Sequence, residues 1–325
     1  MSTRRTLLAA PGLLALASGA TPAGAQEAYP SRAIAMASGY APGGVTDVTA
    51  RVVAERMARE LGVPVVIENR VGAATAVANT YVAQARPDGY TLLAGTSTLA
   101  INPALQPNLT PREPMRDLIP VGMMFRSAFA LHVHPGLPVR STAEFIAYCH
   151  ANPGKVNFGS SGTGAVNHLA QALFAARANL DVVHIPFRGG TPALIELRAG
   201  RIQAMFSALL EAIPALREGA TRGLAISSTA RNALVPELPP VADTVPGFEA
   251  VFWQGVFAPA GTPEPVVRKL TAALRVATED ANLRSRMAEQ GVELIPGDAT
   301  YLRDLLARET TMWGELIRSA NLRAE

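Results

Sequence analysis

The sequence predicts an α/β protein of two lobes with mostly parallel sheets. Short strand-like apolar runs alternate with amphipathic helical stretches along the chain. Two longer apolar, extended segments, at residues 121–133 and 252–258, interrupt that alternation and read as crossings between lobes. The chain has 325 residues and is 49% hydrophobic, enough for two domains of about 100–200 residues with cores of their own.

In chain order, residues 34–38 read as the first strand, followed by the loop Gly39-Tyr40-Ala41-Pro42-Gly43-Gly44. A helix follows over 47–61, with Val48, Val52, Val53, Met57 and Leu61 on its apolar side. Strands are expected at 63–68 and 90–94, with a helix over 73–85 and the turn Pro87-Asp88-Gly89 between them. Residues 102–120 hold five prolines and read as an ordered excursion before the first crossing. Beyond it come a helix at 143–150, a strand at 156–159, and a helix at 164–177 whose buried stripe is Val166, Leu169, Ala170, Leu173 and Phe174. A strand at 182–185, a helix at 192–198 and strands at 202–206 and 223–227 complete this half. Thr191 is expected to cap the helix that Pro192 begins, and Thr262-Pro263-Glu264 repeats the device after the second crossing. Helices fill much of the rest to residue 322. The division expected is a first lobe of residues 26–128 plus 253–325 and a second of residues 129–252.

Composition excludes several functions. A formal net charge of +3, spread without a basic patch, and 6% aromatic residues argue against nucleic acid. Arg4 and Arg5, the apolar run 7–18 and Ala23-Gly24-Ala25 form the n-region, h-region and cleavage site of an export signal. The arginine pair also fits a loose twin-arginine pattern, though the general export route is favoured. Removing residues 1–25 leaves a net charge of +1. Cys149 is alone and reads as a small buried hydrophobe. Gly159-Ser160-Ser161-Gly162-Thr163 fails G-x-S-x-G, Gly162-Thr163-Gly164 lacks the third dinucleotide-binding glycine, and no phosphate-cradling G-x-x-x-x-G-K-[ST] occurs. His132 and His134 share a strand face but have no acidic or thiol companions, so no metal or other cofactor is expected. No base, nucleophile or cofactor motif has the spacing an enzyme needs.

One device recurs: a strand, a short Gly/Ser/Thr loop, then a helix start. It occurs at residues 40–47, 159–163 and 188–191, and a fourth loop, Gly95-Thr96-Ser97-Thr98, follows a strand without so clear a helix. Helix starts present unpaired N–H groups and the positive end of the dipole, and small residues let an anion approach them. A carboxylate or phosphate suits such loops, set at the carboxyl ends of strands in an open α/β sheet. Asp47 either caps its own helix or contacts ligand; His168, one turn into its helix and off the buried stripe, either faces the cleft or supports it.

The chain resembles the Bug family, the periplasmic receptors of tripartite tricarboxylate transporters. The resemblance rests on Tyr29-Pro30-Ser31-Arg32, Ala41-Pro42-Gly43-Gly44-Val45-Thr46-Asp47, Val66-Ile67-Glu68-Asn69-Arg70 and Pro87-Asp88-Gly89-Tyr90-Thr91-Leu92-Leu93. Ile101-Asn102-Pro103, Ser160-Ser161-Gly162 with His168-Leu169-Ala170, His184-Ile185-Pro186-Phe187-Arg188-Gly189-Gly190 and Phe257-Ala258-Pro259-Ala260-Gly261-Thr262-Pro263 follow in order. It implies a type II periplasmic binding protein that closes two lobes around a small organic carboxylate, held largely by loop backbone and water. The implied pocket is Tyr40, Gly44, Thr46, Asp47, Thr96, Ser97, Ser160, Ser161, His168, Arg188 and Gly189, with Ser207 added. Implied partners are the carboxylate and the membrane subunits of the transporter, with the receptor a monomer; signalling to a membrane sensor is the alternative.

Three departures from the family pattern bear on the site. Ala73 and Ala74 stand in a stretch where the family usually has proline and a glycine pair, so that loop is expected to turn less sharply. Phe187 replaces a common tyrosine. Ser207 stands where aspartate is common; if that aspartate serves an ammonium, ligands without an amine are favoured here.

Export by the reading above places cleavage after Ala25. Intact mass of material from the periplasm should correspond to a chain beginning at Gln26. Retention of residues 1–25 would refute the reading.

Overall fold

A computed structural model describes residues 29–109, 111–319 and 322, so the leader read at residues 1–25 lies outside the described residues. The first part of the chain is β1 (Ile34–Ser38), α1 (Val45–Leu61), β2 (Val65–Asn69), a 3-10 turn (Ala73–Thr75), α2 (Ala76–Ala83), β3 (Thr91–Thr96) and α3 (Thr98–Leu105). A short α4 (Pro114–Asp117) leads into the long β4 (Leu118–Val133). Next come α5 (Thr142–Ala151), β5 (Asn157–Ser160), α6 (Val166–Ala178), β6 (Val183–Pro186), α7 (Gly190–Arg198), β7 (Ala204–Ala208), α8 (Leu209–Arg217) and β8 (Arg222–Ile226). The chain returns through β9 (Val251–Pro259) to α9 (Glu264–Glu279), α10 (Ala281–Ala288), β10 (Glu293–Leu294) and α11 (Ala299–Ser319).

The strands run in the order β2-β1-β3-β9-β4-β7-β5-β6, with β8 and β10 pairing to β4 off this path. β1 is parallel to β2 and β3, and β5 is parallel to β6 and β7. The expectation of mostly parallel sheets holds only for these outer parts. Both crossings join the sheets as antiparallel strands: β9 against β3 and β4, and β4 against β7, β8 and β10. Residues 118–128 of β4 pair with β9, and residues 129–133 pair with β7. One strand therefore serves both lobes.

Local chemistry accounts for the element ends. Thr49, Ala50, Val53, Ala54, Met57 and Leu61 form the buried face of α1, and Gly62, in the left-handed region at φ 72°, stops it. The stripe expected on α6 is buried throughout. Phe206 packs among Phe158, Phe174 and Phe248 at ring separations of 5.7, 6.0 and 5.8 Å. Two helix starts differ from expectation. Gly189 at φ 123°, not Thr191, precedes α7, so Thr191 and Pro192 lie within its first turn. Proline is tolerated there because first-turn N–H groups have no intrahelical acceptor. At α9 the helix begins at Glu264, and the Thr262 hydroxyl turns back to the Pro259 carbonyl at 2.8 Å.

In the first lobe, Glu309 of α11 is almost fully buried. Its Oε2 accepts the indole N–H of Trp253 on β9 at 2.7 Å and that of Trp313 at 3.3 Å. Burial raises its carboxyl to about 7, against the two indole bonds that favour the charged form. A raised acid is stabilising while protonated, so its contribution is full below the usual 4.5 and is lost as pH rises through about 7. Glu309→Gln keeps an acceptor and removes the titration. The variant should match the native protein near pH 4.5 and be more stable at pH 8, by on the order of 3 kcal/mol at most. Melting temperatures across that range test this; parallel curves for the two proteins would exclude the assignment.

Candidate functional site

A cleft of about 780 Å³ opens where the loops of both lobes meet above β4 and β9. Phe129 of β4 and Phe252 of β9 line it, with ring centres 6.5 Å apart. Gly44, Ala165, Gly189 and Ala208 are the residues preceding α1, α6, α7 and α8; all four line the cleft, and none closes its helix with a side-chain acceptor. Away from the cleft the starts are mixed: α5 and α10 are closed by Ser141 Oγ on the Glu144 N–H and by Asp280 Oδ1 on the Leu283 N–H, whereas Ser97, Glu113 and Pro263, before α3, α4 and α9, form no side-chain cap. An open helix start leaves first-turn N–H donors and roughly half a positive charge facing the cavity. Four such starts make an anion site without a cluster of cations.

Of the residues singled out in the sequence, Tyr40, Gly44, Thr46, Ser161, Arg188 and Gly189 line the cleft. Gly44 has φ −79° and a Cβ there would meet nothing, whereas the left-handed glycine of this loop is Gly43, at φ 89°. Ser161 spends its hydroxyl proton on Asn167 Oδ1 at 2.8 Å, and Asn167 Nδ2 donates to the Phe206 carbonyl. The Gly189 N–H donates to the Ser161 carbonyl at 3.2 Å, tying the second loop to the third. Arg188 is exposed.

The remaining six support the cleft from behind. Asp47 is buried in the first turn of α1: Oδ2 accepts from the Gly43 N–H and Arg51 Nε, and Oδ1 accepts from Arg51 Nη2 and Asn69 Nδ2. Burial pushes its carboxyl up, but these bonds and the Arg51 charge outweigh that and hold it below the usual range. Thr96 shares hydrogen bonds with the Tyr40 hydroxyl at 3.2 Å and with Thr98 at 2.9 Å. Ser97 is fully buried at the start of α3, the helix that the sequence left unclear. Ser160 Oγ lies 2.7 Å from His184 Nε2. Ser207 is fully buried, with Oγ 2.8 Å from His132 Nε2. His168 does not face the cleft: the loop covers it, its Nδ1 accepts the Gly164 N–H at 3.1 Å, and its ring stacks on His184 at 3.8 Å. Among the described residues no group of three metal-ligating side chains forms.

Residues 72–75, singled out in the sequence only for a departure from the family pattern, also line the cleft. Gly72 at φ 146° is followed by Ala73, Ala74 and Thr75 at φ 44°, 47° and 75°. The turn is therefore sharp although alanines occupy it, contrary to expectation, at roughly 1–2 kcal/mol for each left-handed residue that is not glycine. Asn102 Nδ2 holds the Ala74 carbonyl at 2.9 Å, and Thr75 Oγ1 bonds Thr98 Oγ1 at 2.8 Å. Gly39 accommodates the turn, since a Cβ there would lie 2.5 Å from Thr75 Cβ. Glu211, in the first turn of α8, is the cleft's acid, and Arg188 its base; no other lining residue carries a charge.

Comparison with known proteins follows this geometry. Residues 49–322 match the family model described as the tripartite tricarboxylate transporter family receptor. The chain belongs to this receptor family. The family's members resembling it include BugT of Bordetella pertussis, 33% identical over 315 residues, which are 96% of each chain. The R. palustris protein Rpa4515, solved with adipate, superposes with a TM-score of 0.84 at 29% identity, over 91% of this chain and all of that one. MatC of Rhodopseudomonas palustris, solved with malate, gives a TM-score of 0.81 at 33% identity, over 89% and 100%. The receptor is thus a two-lobed α/β solute-binding protein and not an enzyme.

The His168–His184 stack gives the receptor a measurable signature. Burial lowers His168 to about 3, aided by His184, and burial lowers His184 to about 4. Depressed histidines stabilise while neutral, so this contribution is complete above the usual 6.5 and is lost as pH falls through 4 and 3. In NMR titrations both rings should remain neutral down to pH 5, and His184→Asn should raise the His168 transition only in part. Titration of either ring near 6.5 in the folded native protein would contradict the stack.

Proposed function

We propose that this receptor captures a small organic carboxylate in the periplasm and delivers it, as a monomer, to the membrane subunits of a tripartite tricarboxylate-type transporter. The observation that carries the reading is the set of four cleft-facing helix starts without side-chain caps. Their N–H groups form a donor set for which a carboxylate is the matching ligand. The adipate and malate held by the two relatives support that class, and the family description supports the transport partner. In this reading residues 26–128 with 253–325 form one lobe and residues 129–252 the other, so α1 contacts the ligand from one side and α6, α7 and α8 from the other. Tyr40, Thr46, Ser161, Arg188 and Gly189 complete the contact surface, while Asp47, Thr96, Ser160, His168 and Ser207 hold its loops in place and Ser97 is buried at the start of α3.

Gly44→Val tests this cleanly. Gly44 has an ordinary backbone conformation and open space beside it, so the added side chain occupies the approach to α1 without strain. A carboxylate at ~100 times its dissociation constant should stabilise the native protein by about 2.7 kcal/mol. That is a rise of a few degrees in melting temperature. The variant should melt at the native temperature without ligand and lose that rise. A carboxylate panel that shifts nothing, beside a sugar or polyamine that does, would exclude the proposed class.

A further inference from the structure

Among the cleft residues, Glu211 is the one acid. It lies in the first turn of α8 and lines the cavity, half-buried. Its carboxylate meets Gly190, the first residue of α7, so closely that a Cβ on Gly190 would collide with Oε2. Ser161 and Asn167, which line the same cleft, are hydrogen-bonded, yet no hydrogen bond or ion pair reaches Glu211 among the described residues. Arg188 lines the same cavity and forms no ion pair with it. Burial holds the Glu211 carboxyl above its usual range; the starts of α7 and α8 beside it favour its charge, but no hydrogen bond compensates the lost solvation.

A ligand carboxylate has the open helix starts and Arg188 to choose from. Glu211 is the one group in the cleft that such a carboxylate must avoid. A cationic donor placed there would supply the bond that the protein itself leaves unmade, and would remove the penalty of a half-buried charge without a partner. We propose that Glu211 is the specificity-determining residue of this cleft and selects carboxylates that also carry an ammonium group, that is, amino acids. The proposal rests on the carboxylate reading above and narrows it. It replaces the expectation, drawn from Ser207, that the ligand lacks an amine: Ser207 is sealed beneath the cleft on His132, and the available acid is four residues further on. Adipate and malate, bound by the two relatives, carry no such group, so ligand preference should separate this receptor from them.

The test is calorimetry on the mature protein with matched probes, L-aspartate against succinate and L-glutamate against glutarate, which differ by one ammonium group. The native receptor should bind the amine-bearing member of one pair roughly 10- to 150-fold more tightly, the value of one hydrogen bond between charged partners. Glu211→Gln should abolish that preference without lowering the melting temperature, because Glu211 makes no bond within the protein and the substitution removes a charge that burial disfavours. Gly190→Ala, which displaces the carboxylate without altering it, should weaken the preference in the same direction. Equal or tighter binding of succinate or glutarate by the native protein overturns the proposal and leaves the carboxylate reading intact. So does an amine preference that survives in Glu211→Gln. Failure of all four probes, with a neutral solute binding instead, overturns both.

Discussion

Backbone N–H groups at the start of a helix need an acceptor, and at this cleft the chain withholds one. Gly44, Ala165, Gly189 and Ala208 have no side-chain oxygen to offer, so the first turns of α1, α6, α7 and α8 stay open toward the cavity. A serine, threonine or aspartate cap is worth about 1 kcal/mol over alanine, as at Ala165 and Ala208, and a few tenths over glycine, as at Gly44 and Gly189. Its absence at four sites facing one space, while Ser141 and Asp280 cap α5 and α10, is a cost to the unliganded fold that a bound anion would repay. Small residues at these positions serve both ends: they cap nothing, and they keep the N–H groups accessible.

Four helix starts make a site only if they converge, and the β4–β9 ladder is what brings them together. Ligand positions in α/β sheets lie beyond the carboxyl ends of strands. Here two parallel groups, β2-β1-β3 and β6-β5-β7, are joined through antiparallel crossing strands. Their loops therefore meet over the crossings, where Phe129 and Phe252 provide an apolar floor. Such a floor lowers the local dielectric and strengthens the N–H contacts above it. Support residues then fix the loops from below: Asp47 with Arg51 and Asn69, Thr96 with Tyr40 and Thr98, Ser160 with His184 and His168.

Strands and helices with clear periodicity were legible in the sequence. β1 lies where the pattern places it, and the α6 stripe is buried residue by residue, because a 3.6-residue period needs only one chain segment to read. The recurrent Gly/Ser loops pointed to the cleft for the same local reason. Contacts between distant segments left no such trace. Nothing near His168 in the sequence announces His184, sixteen positions on, as its stacking partner, and so its orientation was open. Likewise the antiparallel crossings follow from which strands lie side by side, a property of topology rather than of any one strand. Ala73 and Ala74 adopt left-handed angles because Thr98 and Asn102, far along the chain, hold the turn. No sequence pattern marks Glu211, which reaches the cleft only because α8 lies beside α7.

Binding through backbone separates the general from the particular in this fold. N–H donors at helix starts survive every substitution but proline, so a family using them could keep its affinity for carboxylates while its side chains vary. Discrimination then falls to the few lining side chains with unspent chemistry. In this cleft Tyr40 is engaged with Thr96, and the Ser161 hydroxyl with Asn167. The hydroxyls of Thr46, Thr163 and Thr191 are left, and with them the two charged side chains, Arg188 and Glu211, one of each sign and not bonded to each other. Gly190 belongs with that pair, because any larger residue there would push the glutamate carboxylate from its place against α7. The use of glycine at the first position of α7 is intelligible as the condition for keeping an acid beside an anion site, where opposite ends of one small ligand can be told apart.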